Sequence, residues 1–262
     1  ESVIEELKRK ESGSSADVIE LHAKKHGDTL ITVAELARLT ALSLEEVQED
    51  VRELEEQGLL TVFEMRKDTY VWHADSIREA RTVLTDALKK YEETYPYRYG
   101  MKKAEVQTTY FQKIRPNVFD RIVEYFVSQG DIRRVEEFLC TPEYEVRKDG
   151  VYQKVSAYFL DTFEKAGFDF VRYSEIDMRG IPKETADDIL NILITEGEVV
   201  RVTEEMYTLA RYMEEAKEKI KAHLAEDPLI TIAQVRDMFQ TSRKSAKPIL
   251  EYMDAQKITK KM

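Results

Sequence analysis

The stretch SLEEVQEDVRELEEQGLLTVF at 43–63 decides the fold. Ser43 is a helix-capping residue, and Val47, Val51 and Leu54 behind it follow i, i+4, i+7 spacing, one stripe of a helix. Gly58 comes next and suits a left-handed helix stop, and LLTVF after it is β-prone. The same order recurs in RPNVFDRIVEYFVSQGDIRRV at 115–135, IPKETADDILNILITEGEVVRV at 181–202 and TSRKSAKPILEYMDAQKITKK at 241–261. Gly130 and Gly197 stand at the stop in the second and third copies, Lys257 in the fourth. The apolar stripe is Phe119, Val123, Phe126, then Ala186, Leu190, Leu193, then Ala246, Leu250, Met253. A second β-prone segment follows a turn in the first three copies: TYVW at 69–72, YEV at 144–146 and MYTL at 206–209.

Two helical patterns lie upstream of each copy. They are ADVIELHAKKHG and VAELARLTAL; ADSIREARTVLTDALKKYEE and MKKAEVQTTYF; VYQKVSAYFLDTFEKAG and the short SEIDMRG; RYMEEAKEKIKAHLAED and IAQVRDMFQ. Three helices followed by a two-stranded hairpin make a winged helix, a helix-turn-helix variant. The stop positions are 72, 67 and 60 residues apart, close to the smallest size at which such a domain folds. The chain is therefore expected to be mostly α with small β hairpins, as four tandem winged helices in an elongated arrangement. Their ranges are 1–73 (with a short leading helix at 1–10), 74–147, 148–209 and 210–262. ESGSS at 11–15 is the loose stretch, and short links elsewhere predict domains stacked on one another.

Composition sets limits. The 262 residues are 42% hydrophobic and 35% charged, with 9 Gly and 6 Pro, which suits packed, helix-rich domains. The single cysteine, Cys140, excludes a disulfide framework and a cysteine zinc site, and fits a reducing, cytoplasmic setting. No apolar run is long enough to span a membrane, and no signal peptide opens the sequence. A start at Glu1 without Met reads as a fragment of a longer protein. The formal net charge of −11 argues against coating nucleic acid along the whole length. From Gln240 onward, however, six Lys/Arg meet two acids, a local net of +4. A polyanion bound at one end fits that distribution.

Helix-turn-helix folds present the start and outer face of their third helix to nucleic acid. The four third helices differ in charge: −6 over 43–57, −1 over 116–129, −3 over 182–196 and +1 over 241–256. Phosphate repulsion disqualifies the first and third. The fourth carries Arg243, Lys244 and Lys247 in its first two turns, beside the free N–H groups of a helix start. The competing reading of these cations is a solvated face. Ser242 or Thr241 is the expected N-cap, its hydroxyl either capping the helix or meeting a phosphate. Pro248 removes one backbone hydrogen bond inside the helix and is expected to kink it.

At these residues a family resemblance enters. TSRKSAKPILEYMDAQKITKK resembles the end of the bacterial selenocysteine-specific elongation factor family, SelB, whose last winged helix reads like SRKxAxPLLEYLDxxxxTRR. KYEETYPYRYGMKKAEV at 90–106 resembles the opening of that family's second winged helix, and the 1–60 region with VAELARLTALSLEEV fits its first. Departures are Tyr97 where Leu is usual, and Lys260 and Lys261 in place of an Arg pair, which keeps charge but loses the planar fork. The second wing strand expected after Met262 lies outside this sequence.

The resemblance implies that the last winged helix holds the selenocysteine insertion sequence hairpin of mRNA in support of UGA recoding. Winged helices one to three would be spacers and ribosome-side contacts, and the chain a monomer. It implies that GTP belongs to N-terminal domains absent here; this chain has no GxxxxGK[ST] phosphate loop and is expected to hold no cofactor and do no catalysis. The major groove of A-form RNA does not admit a helix, so the expected mode is a clamp on backbone phosphates and flipped loop bases. Ser242, Arg243, Lys244 and Lys247 would line its helix end, and Lys257, Lys260 and Lys261 its wing end. Arg243 is the best two-pronged contact.

Other clusters weigh less. His22 and His26 have zinc-like i, i+4 spacing but no third ligand, and read as surface histidines. Tyr91, Tyr95, Tyr97 and Tyr99 read as packing more than base stacking, and Trp72 as core or interface. The acids at 45–56 read as a solvated face. A winged-helix DNA-binding regulator and a protein-binding winged-helix scaffold are the alternative readings. Three acidic recognition helices oppose the first, and the basic end opposes the second.

Overall fold

The computed structural model describes residues 13–261; the helix expected over 1–10 lies outside the described residues. The first repeat comprises α1 (Ser15–Lys25), β1 (Ile31–Thr32), α2 (Val33–Thr40), α3 (Leu44–Glu56), β2 (Leu60–Glu64) and β3 (Thr69–His73). The second comprises α4 (Ala74–Thr94), β4 (Met101–Lys102), α5 (Lys103–Tyr110), α6 (Pro116–Ser128), β5 (Arg133–Val135) and β6 (Phe138–Cys140). The third comprises α7 (Gly150–Ala166), β7 (Val171–Arg172), a 3₁₀ turn at Tyr173–Glu175, α8 (Lys183–Thr195), β8 (Val199–Arg201) and β9 (Met206–Leu209). The fourth comprises α9 (Ala210–Glu226), α10 (Ile232–Met238) and α11 (Arg243–Ala255).

Local chemistry sets the boundaries. Ser14, Thr32, Ser43 and Thr231 each form a reciprocal capping box with the residue three positions on, so one side chain satisfies an orphan N–H at each end of the exchange. Pro116 opens α6 at the position where a missing N–H costs nothing. Gly58, Gly130 and Gly197 all have positive φ, and Lys257 takes the same left-handed conformation at φ 59, as the alignment of the four copies requires.

The hairpins are richer than expected. Each of the first three repeats adds a two-residue strand ahead of its second helix, giving three-stranded antiparallel sheets ordered β1-β3-β2, β4-β6-β5 and β7-β9-β8. The central strand is always the second strand of the hairpin. In the second repeat that strand is Phe138–Cys140, correcting the expectation of YEV at 144–146. The turn is a tight one at Glu136, whose φ of 53 is unusual for a residue other than glycine and gives no turn signal in sequence. The ITKK segment forms no strand, because among the described residues no partner strand pairs with it. SEIDMRG supplies only the 3₁₀ turn, not a full helix.

The described residues divide into two compact units, one within 13–95 and 99–145, the other within 96–98 and 146–261. In the first unit the wing of the first repeat packs into the second repeat. Phe63 and Trp72 join Leu84, Leu88, Phe119, Ile122 and Phe126 in one buried cluster. Trp72 meets Phe126 edge-on at 6.1 Å between centroids, and its indole N–H donates to the Gly27 carbonyl at 2.7 Å. Trp72 is thus core. In the second unit the pattern repeats: Phe170, Val202 and Met206 of the third repeat share a cluster with Met213, Ala216, Val235, Phe239, Ala246 and Ile249 of the fourth.

The tyrosine-rich entry of the second repeat splits. Tyr91 and Tyr95 lie 4.7 Å apart, and Tyr99 contacts Phe138 at 6.5 Å. Tyr97 and Arg98 belong to the second unit. The Tyr97 hydroxyl donates to Asp149, the N-cap of α7, and the Arg98 Nε–H donates to Asp188 on α8 at 2.9 Å. Burial raises the Asp188 carboxyl above the ordinary range, and Arg98 opposes that rise.

Candidate nucleic-acid interface

The candidate interface is built on α11. Its stripe Ala246, Ile249 and Met253 is fully buried and Leu250 half-buried, which turns Ser242, Arg243, Lys244 and Lys247 to solvent. The helix runs unbroken through Pro248, which is buried. Proline has no N–H to give the Lys244 carbonyl. Both Ser245 and Ala246 donate their N–H to the Ser242 carbonyl, so the N–H groups of Arg243 and Lys244 have no intrahelical acceptor.

Ser242 occupies the N-cap, yet its hydroxyl makes no capping bond. Thr241 does not cap either. Its hydroxyl contacts the Phe168 carbonyl at 2.9 Å and the Asp169 carboxylate at 2.6 Å. The buried Ser245 hydroxyl accepts the Phe170 N–H at 3.0 Å. The start of α11 is thereby bolted to the third repeat, a role sequence spacing does not reveal because the partners lie 72 to 75 residues away.

The cations divide by pairing. Lys244 is held by Glu175 at 3.1 Å, and this pairing keeps the Glu175 carboxyl below its usual range. Lys247 reaches Glu251 at 3.6 Å. Among the described residues Arg243, Lys257, Lys260 and Lys261 make no ion pair or side-chain hydrogen bond. Arg243, Lys244 and Lys247 line one cleft of about 470 Å³, together with Arg172 and the third repeat's wing residues Glu204 and Glu205. Lys247 also lines a second cleft of about 590 Å³ with Lys260 and Lys261, floored by Leu224, Ile230 and Leu250. Lys247 therefore joins the helix end to the wing end. Ser242 and Lys257 line neither cleft.

No group of His, Cys, Asp and Glu among the described residues could hold a metal, and His26 Nδ1 lies 2.8 Å from the His22 carbonyl. No helix of the described residues is long and apolar enough to cross a membrane.

Two three-helix units with a small antiparallel wing, a third with a 3₁₀ turn in place of its second helix, and three further helices without wing strands among the described residues define a tandem winged-helix architecture. Residues 222–262 match a family model described as "Elongation factor SelB, winged helix", and residues 85–139 match a second model of the same description. A selenocysteine-specific elongation factor of Desulfomicrobium baculatum is 24% identical over 230 residues, which cover 87% of this chain and 36% of that protein. The chain thus spans about a third of that relative's length. The crystal structure of a bacterial selenocysteine-specific elongation factor, EF-Sec, superposes with a TM-score of 0.51 at 17% identity, over 89% of this chain and 35% of that one. The mRNA-binding domain of E. coli SelB, solved in complex with SECIS RNA, gives a TM-score of 0.37 at 20% identity, over 48% of this chain and 96% of that one. The two matched segments are thus similar to winged helices of the selenocysteine-specific elongation factor SelB.

Proposed function

We propose that this chain is four tandem winged helices, at 1–73, 74–147, 148–209 and 210–262, of which the last binds the selenocysteine insertion hairpin of mRNA. The observation that carries this reading is the exposed start of α11. Arg243 stands there without an ion pair among the described residues, with two free backbone N–H groups and an uncapped Ser242 hydroxyl beside it. The segment that bears it is the one matched as a SelB winged helix. Guanidinium, hydroxyl and amide donors converging on one exposed helix start suit phosphate oxygens. Lys247, Lys260 and Lys261 extend the cationic face along the second cleft.

On this reading the acidic third helices of the first and third winged helices keep RNA to one end, and those units act as spacers toward the ribosome. The chain is a cytoplasmic monomer that takes no nucleotide cofactor and catalyses nothing. GTP binding and selenocysteyl-tRNA delivery belong to the full-length factor.

The test is fluorescence anisotropy of the full chain with three labelled probes: an RNA stem-loop following an in-frame UGA codon of a bacterial selenoprotein mRNA, a DNA duplex of matching stem, and the unpaired strand. The RNA stem-loop is expected to bind tightest. Four to six phosphate contacts give a slope of log K against log salt of roughly 0.7–0.9 per contact. Arg243→Ala is expected to weaken stem-loop binding and lower that slope. Preference for duplex DNA would favour a transcriptional regulator, and no binding to any probe would favour a protein-binding scaffold.

A further inference from the structure

We propose that Arg172, on β7 of the third repeat, is a phosphate-contacting residue of the same RNA-binding face, so that this face spans the third and fourth repeats. The inference rests on the RNA-binding reading above and extends it to a repeat whose own third helix is acidic. Four cations, Arg172, Arg243, Lys244 and Lys247, line the cleft of about 470 Å³ between the third repeat's wing and the first half of α11. Three of them come from the helix. The fourth comes from a strand more than 70 residues earlier in the chain.

Their relative placement is fixed by packing. Phe170, two residues before Arg172, is buried in the cluster that contains Ala246 and Ile249 of α11. Its N–H donates to the buried Ser245 hydroxyl, and Thr241 is tied to Phe168 and Asp169 at the same junction. Arg172 is thus carried on a strand fixed beside the start of α11, within one cleft with Arg243, where a backbone phosphate next to the one Arg243 takes meets it. Arg172 remains accessible, with 45% of its side chain exposed, and its partner Glu205 is distant at 3.9 Å.

Carboxylates share the cleft. Glu204, Glu205 and Glu251 line it, and Glu175 holds Lys244 from outside the lining. Exposed pairs of this kind are weak, and a phosphodiester can take over their cations. In the free chain the carboxylates partly neutralise the cleft, so the third repeat's overall acidity does not prevent it from supplying a contact.

The experiment measures stem-loop affinity of the full chain from about 50 to 200 mM salt for wild type, Arg172→Ala, Arg172→Gln and Arg243→Ala. Each Arg172 variant is expected to lower the salt slope by roughly 0.7–0.9, one phosphate contact, with an unchanged thermal melt. Arg172→Gln keeps the side chain's bulk and serves if alanine perturbs β7. Wild-type slopes for both Arg172 variants beside a lowered slope for Arg243→Ala would overturn the inference and leave the RNA-binding reading standing. An unchanged slope for Arg243→Ala as well would overturn both.

Discussion

At position 73 a histidine caps a helix with its ring. His73 is buried, and its Nδ1 accepts the Asp75 N–H at 3.0 Å as α4 begins. The acceptor role of Nδ1 leaves the proton on Nε2, which donates to Glu20 at 3.1 Å. His73→Leu leaves the Asp75 N–H without its acceptor and Glu20 with Lys24 alone, and is expected to cost roughly 1–3 kcal/mol, read as a drop in denaturation midpoint; a neutral result would remove this role. Glu92 does comparable work, its buried carboxylate accepting from the N–H and hydroxyl of Thr141. Neither residue stands out in the sequence, where His73 looks isolated. Glu20 and Thr141 lie 53 and 49 positions away from them, beyond any local pattern. The left-handed Lys257 is the opposite case. Lining up four copies puts it where three glycines stand, so its backbone conformation was legible although its residue type argues against it. The cations of α11 were legible too, but not the pairing of Lys244 with Glu175.

At the scale of the element, two serine N-caps differ in what their hydroxyls do. Ser43 closes a capping box with Glu46, accepting one N–H while the Glu46 carboxylate accepts another. Ser242 holds the same position on α11 and caps nothing. Ser43→Ala is therefore expected to lower stability by roughly 0.5–2 kcal/mol. Ser242→Ala should change it by less than about 0.5 kcal/mol while weakening stem-loop binding. Equal losses of stability for the two would contradict the assignment of the Ser242 hydroxyl to RNA. Helix starts, stops and apolar stripes were legible because each is encoded within a few residues. The hairpin of the second repeat was not, since Glu136 turns the chain without a glycine or asparagine to announce it. The two-residue strands ahead of the second helices also escaped, being too short to show alternation and existing only through pairing with the hairpin.

At the scale of the whole molecule, several carboxylates tie the structure to pH. Lys24 and His73 hold the Glu20 carboxyl below its ordinary range, Lys113 does the same for Asp28, and the Thr32 backbone for Glu35. A carboxyl depressed by folding adds stability that is complete above its unfolded pKa and is lost as pH falls through its folded one. The urea midpoint is thus expected to hold from neutrality to about pH 5 and to fall below it, toward pH 3. A midpoint that rose on acidification would contradict these pairings. The joining of cores in pairs was not readable from the sequence, because the apolar stripes are alike whether a wing faces water or a neighbour. That joining has a consequence for taking the molecule apart. The fourth repeat cannot be excised at its own boundary. Cut before Ala210, it would lose Phe170, Val202 and Met206 from its interior and expose Val235, Phe239 and Ile249 in their place. Limited proteolysis should accordingly yield a resistant piece containing α7 through α11 and none beginning at α9. The smallest part of this chain that keeps the core beneath α11 whole is a pair of repeats.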